Sequence, residues 1–151
     1  MVVSSQLFEA FLECPTKCWL RSRAEPTAGN AYAEWVQSQN KTYCERGVKR
    51  LVAMHPKSDH TVAPPISKNL KDAPWHLITD IRLSANDLES SLQAVERMPS
   101  KGGGRIDQFV PYHFEYTNKL SRNQKLSLAF DAYMLSEAIG HEVRLGKNHS
   151  W

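Results

Sequence analysis

The chain has 151 residues, of which 41% are hydrophobic and 23% are charged, so it fits one domain that is large enough to bury a core. The net charge of +3 permits a nucleic-acid partner without demanding one. An odd number of cysteines argues against a secreted disulfide framework, and neither a signal peptide nor a membrane span is evident, so we expect a cytoplasmic protein with no membrane partner.

The first predicted element is a short amphipathic helix. Ser4 or Ser5 caps its first turn, and Pro15 is expected to end it, because the residue before a proline disfavours the helical conformation. The apolar residues fall on one stripe at helical spacing, and these are Leu7, Phe8, Phe11 and Leu12. Basic and aromatic residues follow, namely Lys17, Trp19, Arg21 and Arg23.

A second, longer helix is predicted after a breaker-rich loop at residues 24–29. Asn30 caps this helix, and its apolar residues lie on roughly one side, namely Tyr32, Trp35, Val36, Tyr43, Val48 and Leu51. Residues 55–65 are polar and contain three prolines, so they are predicted to form a loop with a short strand. Residues 75–83 alternate between apolar and polar side chains, which predicts a strand with one buried face.

The second half of the chain is predicted to form a helix, a β-stranded stretch and a final helix, in the overall order α-α-β-α-β-β-α. The pattern Asn86-Asp87-Leu88-Glu89 is similar to a capping box and predicts a helix that continues to Met98. A flexible turn at 99–104 leads to a strand at 105–116, in which Pro111 indicates an edge or a bulge. A capping box at residues 121–124 begins the last helix, which ends at Gly140 and is apolar enough to pack on two surfaces. This order of elements indicates an α/β or α+β domain.

Several stretches, in chain order, carry a resemblance to a known family. They are Cys14-Pro15-Thr16-Lys17-Cys18-Trp19-Leu20-Arg21, residues 29–36, residues 87–97, residues 117–120 and residues 126–140. Together they resemble RecB-like nucleases, above all the iron–sulfur branch associated with CRISPR loci (the Cas-four type) and its relatives. The resemblance implies a restriction-endonuclease-like core over residues 1–151, with a mixed sheet flanked by helices. It also implies DNA as the substrate and CRISPR or repair proteins as partners. Family members continue into a three-cysteine cluster, so we expect this chain to be incomplete at its C-terminus.

The family also implies a catalytic pattern. An Asp and an (Asp/Glu)-x-Lys motif lie on adjacent strands, where two carboxylates hold Mg²⁺ or Mn²⁺ beside the scissile phosphate. The best match is Asp107 with Glu115 and Lys119, although Thr117 stands at the position of the motif lysine. Asp107 and Glu115 are an even number of residues apart, so they would share one face of a straight strand, and a hairpin would also bring them together. The alternative is a solvated strand face with incidental charges.

Asp80 is the rival first carboxylate, because aspartate is unfavourable in the middle of a strand and needs a reason to be there. The alternative for Asp80 is an exposed face shared with His76 and Arg82. Other family positions depart from the pattern: no histidine occurs early in the second helix, and only Ser127 and Asp131 lie near the expected glutamine-rich motif.

Cysteines and basic residues supply the remaining candidates. Cys14 matches the single N-terminal ligand of the family's iron–sulfur cluster, whose other three ligands are absent here. A zinc site from Cys14, Cys18 and Cys44 has poor spacing, and Cys18 is expected to be a small buried residue. The basic residues named above (Lys17, Arg21 and Arg23) are candidate phosphate contacts, with Trp19 stacking on a base. The alternative places Trp19 in the core.

Three functions follow from these observations. The first is a Mg²⁺-dependent DNA nuclease of the RecB type, in an incomplete or degenerate copy. The second is a non-catalytic relative that binds nucleic acid or a protein partner, and the third is an inactive fragment. The carboxylates and Lys119 favour the first function, whereas the missing motif lysine and histidine favour the other two.

Overall fold

A mixed β-sheet with helices packed on both faces organises the residues that the computed structural model describes, which are 2–24, 29–62, 75–99, 107–117 and 119–149. The α/β class expected from the sequence is therefore confirmed. The predicted loop at 24–29, the short strand region up to 65, the turn at 99–104 and the strand at 105–116 fall partly outside these residues. None of the described helices combines the length and the apolar run that a bilayer span requires.

The helices are α1 (Ser5–Glu13), α2 (Pro15–Ser22), α3 (Ala31–Ala53) and α4 (Arg122–Ile139). The strands are β1 (Val3–Ser4), β2 (His60–Val62), β3 (Leu77–Ala85), β4 (Leu88–Met98), β5 (Gln108–Phe114) and β6 (Lys147–His149). A short 3₁₀ turn (Lys57–Asp59) precedes β2. The strand order in the described sheet is β2-β3-β4-β5-β6, and β1 pairs with the start of β4. Strands β3, β4 and β5 are antiparallel, whereas β2 pairs with β3 and β6 pairs with β5 in parallel.

The helix predicted at residues 86–98 is wrong, because this segment is β4. Asn86 and Asp87 both have positive φ, 52° and 61°, and Ala85 pairs with Leu88 across them. Two consecutive left-handed residues make the tight turn that suits a two-residue β-hairpin. The buried residues alternate along the first part of β4 as Ser90, Leu92 and Ala94, but two of the three are too small to reveal a strand period in the sequence.

The regular alternation of side chains between the two faces of the sheet is interrupted once in β3 and once in β4, at adjacent positions of the paired strands. Ile78 and Ile81 are three residues apart yet belong to the same core cluster on the α4 face, and so do Leu92 and Val95 in the partner strand. Asp80 lies at the shift with φ 56°, in the left-handed region that L-residues other than Asn and Asp rarely adopt. The irregular backbone, rather than catalysis, is thus the local reason for an aspartate in mid-strand.

Helix α4 has the predicted limits but a single buried face. Ser121 and Gln124 form the capping box, and Gly140 ends the helix with φ 67°. The buried residues of α4 lie on the side that faces the sheet, and they are Ser127, Asp131, Met134, Leu135 and Ile139. The prediction of two packed surfaces holds only in part: Phe130 stacks on Phe8 of α1, whereas Leu126 and Tyr133 are exposed.

The N-terminal helices break where the sequence predicts. Ser4 accepts a hydrogen bond from the Leu7 backbone N–H at 3.2 Å, α1 ends before Cys14, and Pro15 begins α2. The apolar stripe of α1 is only partly covered, because Phe8 stacks on Phe130 of α4 with ring centroids 4.9 Å apart, whereas Phe11 is exposed.

Helix α3 packs on the sheet only through its C-terminal half. Asn30 caps it, as predicted, by accepting from the Ala33 N–H at 2.8 Å. Near the middle of the helix, Gly47 lies against the ring of Phe114, which a Cβ at this position would overlap. The predicted apolar side is wrong in the first half, where Tyr32 and Trp35 stack on each other and remain exposed.

Pro111 lies inside the sheet rather than at its edge. It is fully buried and pairs with Val95 of β4, and β6 covers the other side of β5 from Tyr112 onward. Proline has no backbone N–H to donate to a neighbouring strand. Pro111 lies one residue before Tyr112, where pairing with β6 begins, so the sheet accommodates the proline without an edge position or a bulge.

The left-handed backbone at Asp80 makes a stability prediction. We expect Asp80→Gly to leave the free energy of unfolding unchanged or to raise it by up to about 1 kcal/mol, since glycine adopts positive φ without strain. Asp80→Val is expected to lower it by about 1–3 kcal/mol, because a β-branched side chain is strained there. Urea unfolding measures both. The control is Arg82→Val, at an exposed position of the same strand with ordinary φ; equal losses at 80 and 82 would contradict the backbone explanation.

Candidate functional site

His113 of β5 lies between two carboxylates at the edge of the α4-side core. Its Nδ1 is 3.7 Å from Oδ2 of Asp131, and its Nε2 is 3.6 Å from Oε2 of Glu115. Each ring nitrogen therefore faces one acidic side chain. Burial by itself lowers the pKa of His113, but Asp131 and Glu115 outweigh it and raise this pKa to about 9. The imidazole is therefore protonated at neutral pH, and the site holds a fixed positive charge.

Asp131 is the most buried acidic member of this group. It lies on the sheet-facing side of α4, and the Ser90 hydroxyl of β4 donates to its Oδ1 at 2.5 Å. A buried carboxylate is tolerated only where hydrogen bonds and an opposite charge compensate its lost hydration. Ser90 and His113 supply both, so the neighbouring strands β4 and β5 fix the carboxylate of Asp131.

Glu115 follows the last residue of β5 and is held from two sides. Burial raises the pKa of Glu115, but hydrogen bonding from His113 and Gln124 outweighs burial and lowers the pKa overall. Gln124 also accepts from the Ser121 N–H at 2.6 Å through its Oε1. The helix cap, whose role looked purely local in the sequence, therefore also positions a charged side chain of the site.

Glu9 approaches the same group from α1. Its pKa is raised, chiefly because it is buried, with Asp131 and Glu115 adding to the rise and His113 opposing it. Four elements of the fold therefore contribute to one acidic cluster, which we define as Glu9, Ser90, His113, Glu115 and Asp131. The half-buried imidazolium of His113 lies at its centre.

The acidic cluster does not fit Mg²⁺ or Mn²⁺ in this arrangement. Within the described residues, no set of three or more His, Cys, Asp and Glu side chains is placed to hold a metal ion. A protonated imidazole has no lone pair to offer, and its positive charge occupies the place between the carboxylates. The cofactor expected from the resemblance therefore finds no ligand set here.

Asp107 and Glu115 were predicted to bind the same metal ion, but strand β5 lies between them. They flank opposite ends of β5, which is extended from Gln108 to Phe114. Eight steps of about 3.3 Å place the two Cα atoms roughly 26 Å apart, which is farther than an Asp and a Glu side chain can bridge to ligands about 2.1 Å from one Mg²⁺. Asp107 instead accepts from Nε of Arg97 at 2.7 Å.

The other two predicted catalytic residues lie outside the acidic cluster. Asp80 is exposed on β3, as are His76 and Arg82, which matches the alternative of a solvated face. Lys119 is exposed in the turn before α4, where its backbone carbonyl accepts from the Thr117 hydroxyl at 3.0 Å. Neither residue is among the groups that shift the pKa of His113.

The basic residues of the N-terminal helices are on the surface. Lys17 forms an ion pair with Glu13, one helical turn earlier across the break, and the Arg23 guanidinium lies 4.9 Å from the ring centroid of Trp19. Arg21 lines a shallow pocket together with Gln37. Trp19 is 54% exposed, so its placement in the core is wrong, and its ring is available at the surface.

The cysteines occupy two different environments. Cys14 is exposed at the start of α2, where the backbone N–H groups of Lys17 and Thr16 lower the pKa of its thiol. Cys44 on α3 donates to the carbonyl oxygen of Phe114 at 2.8 Å, and burial raises its pKa. Cys18 is only half-buried, which differs from the expected buried position.

Sequence reasoning missed most of the acidic cluster. Asp131 could have been noticed as a charged residue within an otherwise apolar helix. It lies four residues after Ser127, and this spacing places both residues on the same face of the helix. His113 alternates with Tyr112 and Phe114 along β5, which indicates the opposite face of the sheet. Ser90 and Glu9 gave no comparable signal, because polar residues on a strand and a helix are ordinarily solvated.

No protein-family model matches this sequence, and no curated protein is significantly similar to it.

The half-buried imidazolium predicts a pH-dependent stability. The pKa of His113 is raised from 6.5 to about 9 on folding, so its contribution is fully present below about pH 6.5 and is lost as pH rises through about 9. The shift corresponds to roughly 3 kcal/mol. Urea unfolding across this range should therefore show that loss in the wild type and not in His113→Gln.

Three single variants distinguish the loss of the His113 ion pairs from general effects of alkaline pH on the protein. His113→Gln should lower the free energy of unfolding by about 3–5 kcal/mol at neutral pH, because it leaves Asp131 buried without a cation. Glu115→Gln should shift the loss of stability to lower pH. His76→Gln, at an exposed histidine, is the control. Parallel pH curves for the wild type and His113→Gln would contradict the assignment.

The two thiol environments predict different reactivities. At about pH 7.5, iodoacetamide should label Cys14 about tenfold faster than Cys44, because thiolate content and exposure both favour Cys14. Peptide mapping by mass spectrometry of samples quenched over time measures both rates in one molecule. Equal rates in the folded protein would show that the start of α2 does not activate Cys14, and denatured protein is the reference.

Proposed function

We propose that this chain is a RecB-like nuclease-type domain that binds DNA and does not cleave it, with its acidic centre closed by a histidine. Two observations support the family. The order of motifs along the sequence resembles that family, and a mixed sheet between helices is the architecture that the resemblance implies.

The position of His113 carries the proposal that cleavage is absent. A nuclease of this family needs a divalent ion between carboxylates and a lysine beside it. Here a protonated imidazole lies between Asp131 and Glu115, and Thr117 replaces the motif lysine. The carboxylates are compensated by a side chain of the protein itself, so phosphate binding is left to basic residues elsewhere on the surface.

A second candidate function is Mg²⁺-dependent cleavage of DNA. The observation in its favour is that two carboxylates, Glu115 and Asp131, flank the His113 ring, while a third, Glu9, interacts electrostatically with both. A carboxylate group of this size is common in metal-dependent phosphodiesterases. This function requires His113 to give up its proton or its place.

Incubation with end-labelled single-stranded DNA, with and without Mg²⁺ or Mn²⁺, distinguishes the two functions. We expect a gel shift that weakens steeply with salt, because phosphate contacts release counterions, and no metal-dependent cutting. Asp131→Asn and Glu115→Gln should bind as well as the wild type. Asp107→Ala and Asp80→Ala are matched acidic controls outside the acidic cluster.

The outcomes separate the candidates. Metal-dependent cutting that Asp131→Asn abolishes and Asp107→Ala preserves would replace the binding proposal with the nuclease. Cutting that depends on Asp107 or Asp80 would support the catalytic residues predicted from the sequence. Absence of any DNA binding at low salt would overturn the proposed function altogether.

A further inference from the structure

We propose that the groove between α3 and the sheet binds single-stranded nucleic acid, with phosphates on the α3 cations and bases toward its apolar floor. The inference rests on the proposed function and places its binding surface away from both the acidic cluster and the basic N-terminal helices. The groove encloses about 1190 Å³ and runs along the C-terminal half of α3 beside β5 and β6.

Close approach of α3 to one point of the sheet creates this groove. Gly47 contacts the ring of Phe114, and the Cys44 thiol donates to the backbone carbonyl of the same residue. The helix is therefore anchored to the end of β5 by a small residue and a hydrogen bond. Beyond this anchor, Leu51 and Tyr112 complete the floor, and Met54 at the helix end is 73% exposed beside them.

Three cations of α3 form one wall of the groove. Arg46, Lys49 and Arg50 are all exposed and follow the spacing i, i+3 and i+4, which puts them on one side of the helix within about one turn of 5.4 Å. Among the described residues, no carboxylate lies within ion-pair distance of these three. Their charge is therefore directed to solvent or to a ligand.

The opposite side of the groove carries a fourth, fixed cation. Lys147 of β6 donates to the Tyr112 hydroxyl at 2.7 Å and to Oε2 of Glu96 at 3.4 Å, and Tyr112 itself donates to Glu96 at 2.6 Å. His55 also lies 3.5 Å from Glu96. This network fixes the far side of the groove, while Glu96 offsets part of its charge, so the uncompensated charge is on α3.

A polyanion with flat apolar groups matches these two properties together. The exposed cations of α3 suit phosphates, and an apolar floor with partly exposed Tyr43 and exposed Met54 suits bases. Bases reach such a floor only when they are not paired in a duplex, so the groove favours a single strand. An acidic peptide would satisfy the cations but would not need a deep apolar floor.

The groove and the acidic cluster lie on opposite faces of the sheet. Tyr112 and Phe114 belong to the core cluster that packs against α3, whereas His113 points toward Asp131 of α4. Alternation along β5 therefore separates a bound strand from the carboxylates by the thickness of the sheet. This separation avoids repulsion between phosphates and carboxylates, and it agrees with binding without cleavage.

The test compares two variants with the same change in charge. Arg46→Gln/Lys49→Gln/Arg50→Gln removes the groove cations, and Lys17→Gln/Arg21→Gln/Arg23→Gln removes three cations from the N-terminal helices. Each takes the net charge from +3 to zero. Anisotropy of a labelled oligonucleotide of about 20 nucleotides should show about tenfold weaker binding for the groove variant and little change for the control.

Salt dependence and the probe chemistry add independent readouts. Loss of three phosphate contacts should reduce the slope of log K against log salt by about 2, at about 0.7 per contact on a single strand. An abasic strand of equal length should bind more weakly than the base-containing strand, because it leaves the floor uncovered. Circular dichroism and thermal unfolding are used to check that these substitutions at exposed positions preserve the fold. DNA and RNA versions of the strand show which sugar is preferred.

Each of the other possible outcomes would contradict a stated part of the proposal. Equal loss of binding in both triple variants would show a response to net charge and would overturn the groove assignment alone. Loss only in the N-terminal variant would move the site to α2. Equal affinity for the abasic strand, for polyglutamate or for duplex DNA would overturn the single-strand and base-contact assignments. A wild type that binds no nucleic acid would overturn the proposed function as well.

Discussion

The alternation of three consecutive side chains on β5 is the constraint on which both candidate surfaces depend. Tyr112 and Phe114 face α3, where they form the core of that layer, and His113 faces α4. Because successive residues of a strand point to opposite faces, these assignments are coupled. A shift of β5 by one residue would move the histidine into the apolar layer and the two aromatic rings among carboxylates, so pairing with β4 and β6 protects both surfaces at once.

On the α4 side of the sheet, the positive charge of His113 compensates the negative charges of the neighbouring carboxylates. Asp131 and Glu115 are stabilised by one shared imidazolium, and Ser90 donates to the other oxygen of Asp131. A buried ion pair adds little net stability, but removal of either partner is costly, so such a network favours one arrangement over others. A divalent ion bound at this centre would have to displace the proton and charge of His113.

The basic side of the molecule shows a different use of charge. The cations of α3 are exposed and, within the described part of the chain, unpaired with carboxylates, so they are hydrated and accessible. Exposed charges of this kind contribute little to folding. They are suited to steering a polyanion toward the groove, where Gly47 sets the width by allowing α3 to approach Phe114.

The sequence by itself determined the features that depend on neighbouring residues. The caps at Ser4, Asn30 and Ser121 and the left-handed end at Gly140 are satisfied by groups within one turn, so the sequence predicted these helix ends, whereas the similar pattern at Asn86 belongs to a hairpin. The strand predicted at 75–83 was found as β3, but the predicted single buried face is wrong, because Leu77 packs on the α3 side and Ile78, Ile81 and Leu83 pack on the α4 side. The resemblance to RecB-like nucleases also came from local motifs.

Only the tertiary structure decided what depends on distant partners. Residues 88–98 have an ambiguous period, and pairing with both β3 and β5 makes them a strand. Asp107 and Glu115 seemed a pair because a hairpin between them would have brought them together, whereas the structure has one extended strand from Gln108 to Phe114. The acidic cluster unites Glu9, Ser90, His113 and Asp131 across more than 120 positions of the chain, and the groove needs α3 beside β5. Long-range contacts of this kind leave no periodic trace in the sequence, because each residue's environment is set by another part of the chain.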